Sequence, residues 1–264
     1  MDLKLEDKKA FISGSTAGIG FAIAKRFLVE GATVIINGRS QESIDKAISE
    51  LKAETGSDKV TGIPADFSKV EEVDSLLKAL PEVDILINNA GIFEPKAFAD
   101  IPDEDWLRFF EVNVLSGIRL ARQYFPKMLA KNWGRIIFIS SESGVFIPDE
   151  MIHYGMTKTA QLAVSRGLAE LTKGSNVTVN SILPGPTKSK GVGKFIEDMS
   201  EKSGKTIQKV EEEFFQDMRP TSLIQRFAAV EEVADTVVYY SSPLASATNG
   251  ASIRVEGGLV KSII

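Results

Sequence analysis

The feature that most limits the fold is an alternation of short apolar runs with longer stretches of helical period. Residues 9–13 (KAFIS), 33–37 (TVIIN), 59–64 (KVTGIP), 83–88 (VDILIN), 135–140 (RIIFIS) and 177–183 (VTVNSIL) are brief and rich in Ile and Val. The longest are apolar on both faces, which suits parallel strands covered on both sides. Between them, residues 19–30, 42–54, 71–80, 103–129 and 154–173 carry helix periodicity. Ser40 and Ser68 stand where N-caps belong, and Gly31 and Gly174 where helices stop. Five or six strand–helix repeats predict an α/β protein with a doubly wound parallel sheet and helices on both faces. The alternation breaks at Pro184. From there to about Gln225 the chain carries three prolines, a Gly/Lys/Ser-rich opening and two short helical patterns, with no strand. An insertion of this kind, placed at about 186–227, is where such folds build a small C-terminal substrate lid. A helix at 230–241 and a last strand at 251–255 complete the pattern. No repeat or linker divides the chain, so 1–264 reads as a single domain.

Composition removes several classes of function. The 264 residues include no cysteine and one histidine, His153, so disulfides, thiolate nucleophiles and Cys- or His-rich metal sites are excluded. A net charge of −5 argues against broad attraction to nucleic acid. No run reaches the roughly 18 apolar residues of a membrane span, and the first residues, MDLKLED, lack the apolar core of a signal peptide. The expectation is a soluble cytoplasmic protein with no nucleic-acid or membrane partner.

The first strand runs into Ser13-Gly14-Ser15-Thr16-Ala17-Gly18-Ile19-Gly20 and then a helix. In that context Gly14 allows a tight turn, Gly18 lets backbone approach a pyrophosphate, and Gly20 permits close helix–strand packing. The phosphates would rest on the free N–H groups of the helix start, as in a Rossmann-type nucleotide site. The spacing is G-x-x-x-G-x-G. The second strand ends in Asn37-Gly38-Arg39-Ser40, where an acidic residue would bind the ribose of NAD. Gly38 leaves room there and Arg39 offers a planar guanidinium suited to a 2′-phosphate. The expected cofactor is therefore NADP, with NAD less favoured.

Tyr154-Gly155-Met156-Thr157-Lys158 places a phenol and an ammonium one helical turn apart. A nearby cation lowers a tyrosine pKa from about 10 and makes it usable as acid and base. Alone, Y-x-x-x-K more often marks a packed tyrosine and a solvated lysine. Its company changes the reading. SGSTAGIG at 13–20, NNAG at 88–91, EVNV at 111–114, ISS at 139–141, YGMTK at 154–158 and LPGPT at 183–187 together resemble the short-chain dehydrogenase/reductase family, in its 3-oxoacyl-carrier-protein-reductase-like branch. The resemblance spans essentially the whole chain.

That resemblance implies a hydride transfer between NADP(H) and a small-molecule ketone or secondary alcohol. By resemblance, Tyr154 is the proton donor and acceptor, and Lys158 lowers its pKa and holds the nicotinamide ribose. Ser141, 13 residues before the tyrosine, bonds the substrate oxygen, and Asn113 supports a water-mediated proton relay to the lysine. Cofactor contacts fall on Gly14, Ser15, Thr16, Gly18, Ile19, Gly20, Arg39, Ser40, Asp66, Phe67, Asn89, Ala90, Gly91, Tyr154, Lys158, Pro184, Gly185 and Thr187. Asp66 would sit near the adenine amino group, Thr187 at the nicotinamide amide, and Asn88 in the cofactor cleft. Ser13, where Thr is commoner, and VEGG at 255–258, where VDGG is commoner, are mild departures.

Acyl-carrier-protein reductases tend to carry arginines before the fifth and sixth strands. Here Asn132 and Ser175 stand there, with Lys131 and Lys173 adjacent, which weakens that substrate reading. The expected pocket lining is Phe93, Val145, Phe146, Ile147, Phe195, Met199, Phe214, Phe215 and Met218, fitting a moderately hydrophobic substrate. Glu211-Glu212-Glu213 reads as a solvated helix face, and His153 as a helix-start or pocket-rim residue. Family habit implies a homotetramer paired through the helices at 103–129 and 154–173. The alternative is a catalytically silent NAD(P)-binding sensor or scaffold, which the intact Tyr154–Lys158 pair disfavours.

Overall fold

The computed structural model describes residues 1–263, and of Lys190 the backbone alone; the last residue of the predicted domain, 264, lies outside them. Seven strands form one sheet: β1 (Lys9–Ile12), β2 (Thr33–Gly38), β3 (Val60–Pro64), β4 (Ile85–Asn88), β5 (Gly134–Ile139), β6 (Val177–Pro184) and β7 (Ser252–Val255). Their order is β3-β2-β1-β4-β5-β6-β7 and every pairing is parallel. The expected α/β doubly wound architecture is what is found. The chain reverses its direction of travel across the sheet between β1 and β4, and ligands of such sheets bind outside the strands' C-terminal ends at that switch point.

Alternate residues of each strand feed two cores, because successive side chains leave a strand on opposite faces. Ala10, Ile12, Val34 and Ile36 face α1 (Gly18–Val29), α2 (Gln41–Thr55) and α9 (Val230–Tyr240), meeting Ile23, Phe27, Ile44, Leu51 and Val237. Phe11, Ile35 and Leu86 face the other way, toward α3 (Val70–Ala79), α5 (Ser116–Lys131) and α6 (Ile152–Glu170), through Leu76, Leu120, Tyr124 and Ala169. No helix of the described residues is long and apolar enough to cross a membrane.

Three local expectations are corrected. Ser68 does not cap α3: Lys69 holds the cap position, while the Ser68 N–H and hydroxyl both donate to Asp66 Oδ1, at 2.9 and 2.8 Å. The short aspartate side chain closes the turn before the helix begins. Second, the helix expected at 103–129 is α4 (Asp103–Phe110) joined to α5 by a π-turn at Glu111–Leu115. Such a turn inserts one residue without breaking the helix, and periodicity does not register it. Third, α6 begins two residues before Tyr154 and stops at Glu170, where the Thr172 hydroxyl donates to the Ala169 carbonyl and Gly174 turns the chain at φ +79°. Ser40 caps α2 as expected, accepting from the Ser43 N–H.

The insertion forms α7 (Lys190–Ser203) and α8 (Ile207–Glu213), the latter running into a second π-turn at Phe214–Met218. Ile196, Val210, Phe214, Phe215 and Phe227 make a separate apolar cluster here. Phe227 stacks on Phe214 with ring centroids 5.0 Å apart and meets Phe215 edge-on. The glutamates at 211–213 are not simply solvated: Glu211 pairs with Lys188 and Glu213 with Lys205.

Phe11, fully buried in the middle of the sheet, sets the scale of core packing. Phe11→Ala should lower the urea-unfolding free energy by about 3–5 kcal/mol, whereas Val29→Ala, at a position 57% exposed, should change it by no more than about 0.5 kcal/mol.

Candidate active site

The glycine turn is tied to its neighbours before any ligand is considered. Gly14 N–H donates to Asn37 Oδ1 at 3.0 Å, and Asn37 Nδ2 reaches the Ile63 carbonyl at 3.1 Å. Ser15 is fully buried, its hydroxyl donating to the Ile12 carbonyl and accepting from the Asn37 N–H, so its side chain braces the turn. Asn89 Nδ2 donates to the carbonyls of Ser13 and Gly14. The Ser13 hydroxyl accepts from the N–H groups of Asn89 and Ala90, both at 2.9 Å.

A dinucleotide phosphate fits this turn. Gly14 and Gly18 both have φ +60°, which disfavours a side chain. At Gly20 a Cβ would lie 2.6 Å from both Asn89 Nδ2 and the Gly14 carbonyl. The cap position of α1, Ala17, contributes no side-chain hydrogen bond, so the first N–H groups of the helix stay available to an anion. At the end of β2, a Cβ on Gly38 would strike Thr16 Cγ2 at 2.5 Å, and Arg39 and Ser40 are exposed beyond it. Asp66 lies close enough for the Arg39 charge to act on it. Burial alone would raise the Asp66 carboxyl, but hydrogen bonds from Ser68 and the charges of Lys69 and Arg39 hold it below its ordinary value. Phe67 is buried in the core, and Asn88 is buried with both amide atoms unpartnered rather than lining the cleft.

A cavity of about 250 Å³ opens at the C-terminal ends of β1, β4, β5 and β6. Ile19, Asn89 and Gly91 line one side, and Pro184, Gly185 and Thr187 another. Ser141, Tyr154 and Lys158 line it as well, with Phe93, Phe195, Phe214 and Met218 toward the lid. The remaining expected lining residues lie elsewhere: Val145, Phe146 and Ile147 are exposed, and Met199 and Phe215 pack in the lid cluster. His153 is not on the rim. It is fully buried as the second residue of α6, packed on Phe109 (centroids 4.1 Å apart) and Trp106, with both ring nitrogens unpartnered, and burial pushes its pKa down.

Lys158 Nζ donates to the Ile139 carbonyl at 2.9 Å and to Gln161 Oε1 at 3.3 Å. Gln161 Nε2 in turn donates to the Asn113 carbonyl at 2.6 Å. A protein amide thus links the Asn113 backbone carbonyl to the lysine. The Asn113 side chain grips Ile92 through both backbone groups, accepting from its N–H at 2.8 Å and donating to its carbonyl, and also donates to Thr157 Oγ1. The π-turn brings this asparagine to full burial.

The electrostatics differ from the sequence expectation. Burial and the negative charge of Glu142 push the Tyr154 phenol above its ordinary value, the neighbouring Ser141 hydroxyl pulling the other way. Lys158 is itself pushed down to about 8 by burial, with the Glu142 charge opposing. Glu142 is the charged residue that sequence reasoning missed. It follows Ser141 directly, is 6% exposed, lines the cavity, and accepts the Ser141 hydroxyl on Oε2. Arg219, also missed, donates to Glu150 Oε1 at 2.9 Å, with its guanidinium over the Phe214 ring.

With the geometry in place, known proteins can be compared. The family model described as short chain dehydrogenase matches residues 8–200. The uncharacterised oxidoreductase YvrD of Bacillus subtilis is 51% identical over the full length of both chains. The 3-oxoacyl-acyl-carrier-protein reductase of Aquifex aeolicus is 33% identical, covering 98% of this chain and all of its own. The structure of L-sorbose reductase from Gluconobacter frateurii, complexed with NADPH and L-sorbose, superposes with a TM-score of 0.92 at 31% identity over the whole of both chains. The protein belongs to the short-chain dehydrogenase/reductase family, and its fold is that of a nicotinamide-dependent oxidoreductase.

The depressed Lys158 pKa has a consequence for stability. Below pH 8 the folded state holds a buried ammonium that the unfolded chain would solvate. Between about 8 and the ordinary value of 10.5 the unfolded chain binds more protons, so stability rises with pH there. Unfolding free energies measured from pH 7 to 10.5 should show wild type gaining on Lys158→Met across that window, by an amount on the order of 3 kcal/mol. A constant difference would contradict the buried-ammonium assignment.

Proposed function

We propose that the protein is an NADP(H)-dependent oxidoreductase that moves a hydride between nicotinamide and a ketone or secondary alcohol. The observation that carries this reading is the convergence of Ser141, Tyr154 and Lys158 on one cavity that also adjoins the glycine turn. When bound, the nicotinamide supplies or takes the hydride. The chain's own residues would do the rest. A carbonyl oxygen gains negative charge as its carbon is reduced, and an adjacent phenol proton and serine hydroxyl stabilise that charge. Tyr154 donates the proton, and Lys158 holds the nicotinamide ribose. Gln161 and Asn113 keep Lys158 in place through the chain of hydrogen bonds that ends at Ile92.

Gly14, Ser15, Thr16, Gly18, Ile19 and Gly20 would cradle the dinucleotide, with Arg39 and Ser40 at the 2′-phosphate and Asp66 and Phe67 beside the adenine. Asn89, Ala90, Gly91, Pro184, Gly185 and Thr187 would border the nicotinamide half. The preference for NADP rests on the exposed Arg39 beyond Gly38, and the NADPH in the L-sorbose reductase complex supports it. That favours reduction as the working direction. The largely apolar lining fits a moderately hydrophobic ketone. An acyl-carrier-protein substrate has less support, because Asn132 and Ser175 make local hydrogen bonds where cationic side chains would be needed: Asn132 Oδ1 accepts from the Asn176 N–H, and the Ser175 hydroxyl donates to the Thr172 carbonyl.

We further infer a homotetramer and a cytoplasmic location. Leu107 and Phe110 of α4 are exposed, on a helix the family commonly pairs, and the chain carries no cysteine. Light scattering should give close to four times 28.7 kDa; a mass of one chain would exclude the tetramer. Titration with NADPH and NADH should show tighter binding of NADPH, weakened roughly ten- to hundredfold by Arg39→Ala with NADH little changed. Equal affinities would remove the Arg39 assignment. Tyr154→Phe should lower ketone reduction about 10²- to 10⁴-fold while NADPH binding persists.

A further inference from the structure

The cavity holds one charged group that the chemistry above does not use. Glu142 is 6% exposed and lies on the cavity wall directly after Ser141. Its Oε2 accepts the Ser141 hydroxyl proton, and the backbone N–H groups of Glu142 and Ser143 also act on the carboxyl. Much of the wall around it is apolar, including Ile92, Phe93, Met151, Phe214 and Met218. A carboxylate in such surroundings is costly unless a donor reaches it.

We propose that Glu142 is a substrate-recognition residue, and that the substrates it selects are ketones carrying a hydroxyl beside the carbonyl. The assignment rests on the ketone-reductase reading above. A simple ketone brings only an acceptor. To donate to that acceptor, Ser141 must turn its one proton away from Glu142, and an ionised carboxylate then loses its side-chain donor. A hydroxyl on the neighbouring carbon removes the conflict: it donates to Glu142 in place of Ser141, and the Ser141 proton becomes available to the carbonyl oxygen. Reduction then places hydride on the carbonyl carbon and a proton on its oxygen, and the product is a vicinal diol. Whichever way the proton between Ser141 and Glu142 lies, one carboxyl oxygen remains an acceptor for that hydroxyl. An ammonium group could also donate, but Lys158 lines the same wall and Arg219 stands close enough for its charge to act on Glu142. With Glu142 and Glu150 these cations leave the cavity near neutrality, which favours a neutral donor.

The test compares paired ketones that differ by the one hydroxyl: acetoin against butanone, and benzoin against deoxybenzoin, with NADPH. Wild type should favour the hydroxyketone in kcat/KM by about tenfold or more, as a hydrogen bond to a buried carboxylate implies. In Glu142→Gln and Glu142→Met that ratio should fall toward unity. Calorimetric binding of the same pairs to Tyr154→Phe protein with NADPH, with and without Glu142→Gln, reads recognition without turnover. A ratio near one in wild type, or a preference that survives both substitutions, overturns the assignment. If wild type reduces neither ketone but a Glu142-dependent binding preference persists, the reductase reading fails and the recognition role stands. Absence of both turnover and binding preference removes both.

Discussion

The end of β1 and the end of β4 are clasped through one hydroxyl. Ser13 Oγ accepts from two consecutive N–H groups, those of Asn89 and Ala90, and the Asn89 amide returns two hydrogen bonds to the Ser13 and Gly14 carbonyls. This is the position where the sheet reverses its winding, and the hydroxyl adds to the backbone pairing of β1 with β4, in which the Ser13 N–H donates to the Ile87 carbonyl. Because they are clasped, the glycine turn meets the cavity floor at fixed spacing, and Gly20 can approach Asn89 with no space left for a Cβ. The glycine turn and the cavity floor are thereby parts of one rigid edge.

A second rigid connection runs from the π-turn to α6. The extra residue in the helix turns Asn113 inward, where it holds Ile92 and Thr157 by its side chain and Gln161 by its carbonyl. Gln161 passes the constraint to Lys158. The lysine also donates to the Ile139 carbonyl at the end of β5, so its ammonium is held from two elements at once. Such double anchoring keeps a buried cation in place despite the desolvation that lowers its pKa.

Much of this was legible in the chain. Strand identity followed from brief Ile/Val-rich runs, which suit strands covered on both faces. The glycine turn and the Tyr154–Lys158 pair were readable because each depends on spacing within one element. What escaped depends on contacts between distant elements. Asn37 looked like the end of a strand, yet it braces the Gly14 turn from 23 residues away. Gln161 shares a helix face with Lys158, but nothing local says that its amide reaches the Asn113 carbonyl. Glu142 was not singled out, although a carboxylate directly after Ser141 in an otherwise uncharged ISSESG run was the available signal. His153 does stand at the helix start, one of the two places expected for it, and packing on Phe109 and Trp106 keeps it off the rim.

The lid is held together by its own rings. Phe214 and Phe227 stack, Phe215 meets both edge-on, and their cluster is separate from both cores of the sheet. A cavity assembled this way has two walls with different histories open to them. Replacements in α7 and α8 can reshape the substrate end while the strands, the glycine turn and α6 keep their packing. Divergence of substrate choice among relatives that share this fold then requires no renegotiation of the nucleotide site, and each half can drift under its own selection.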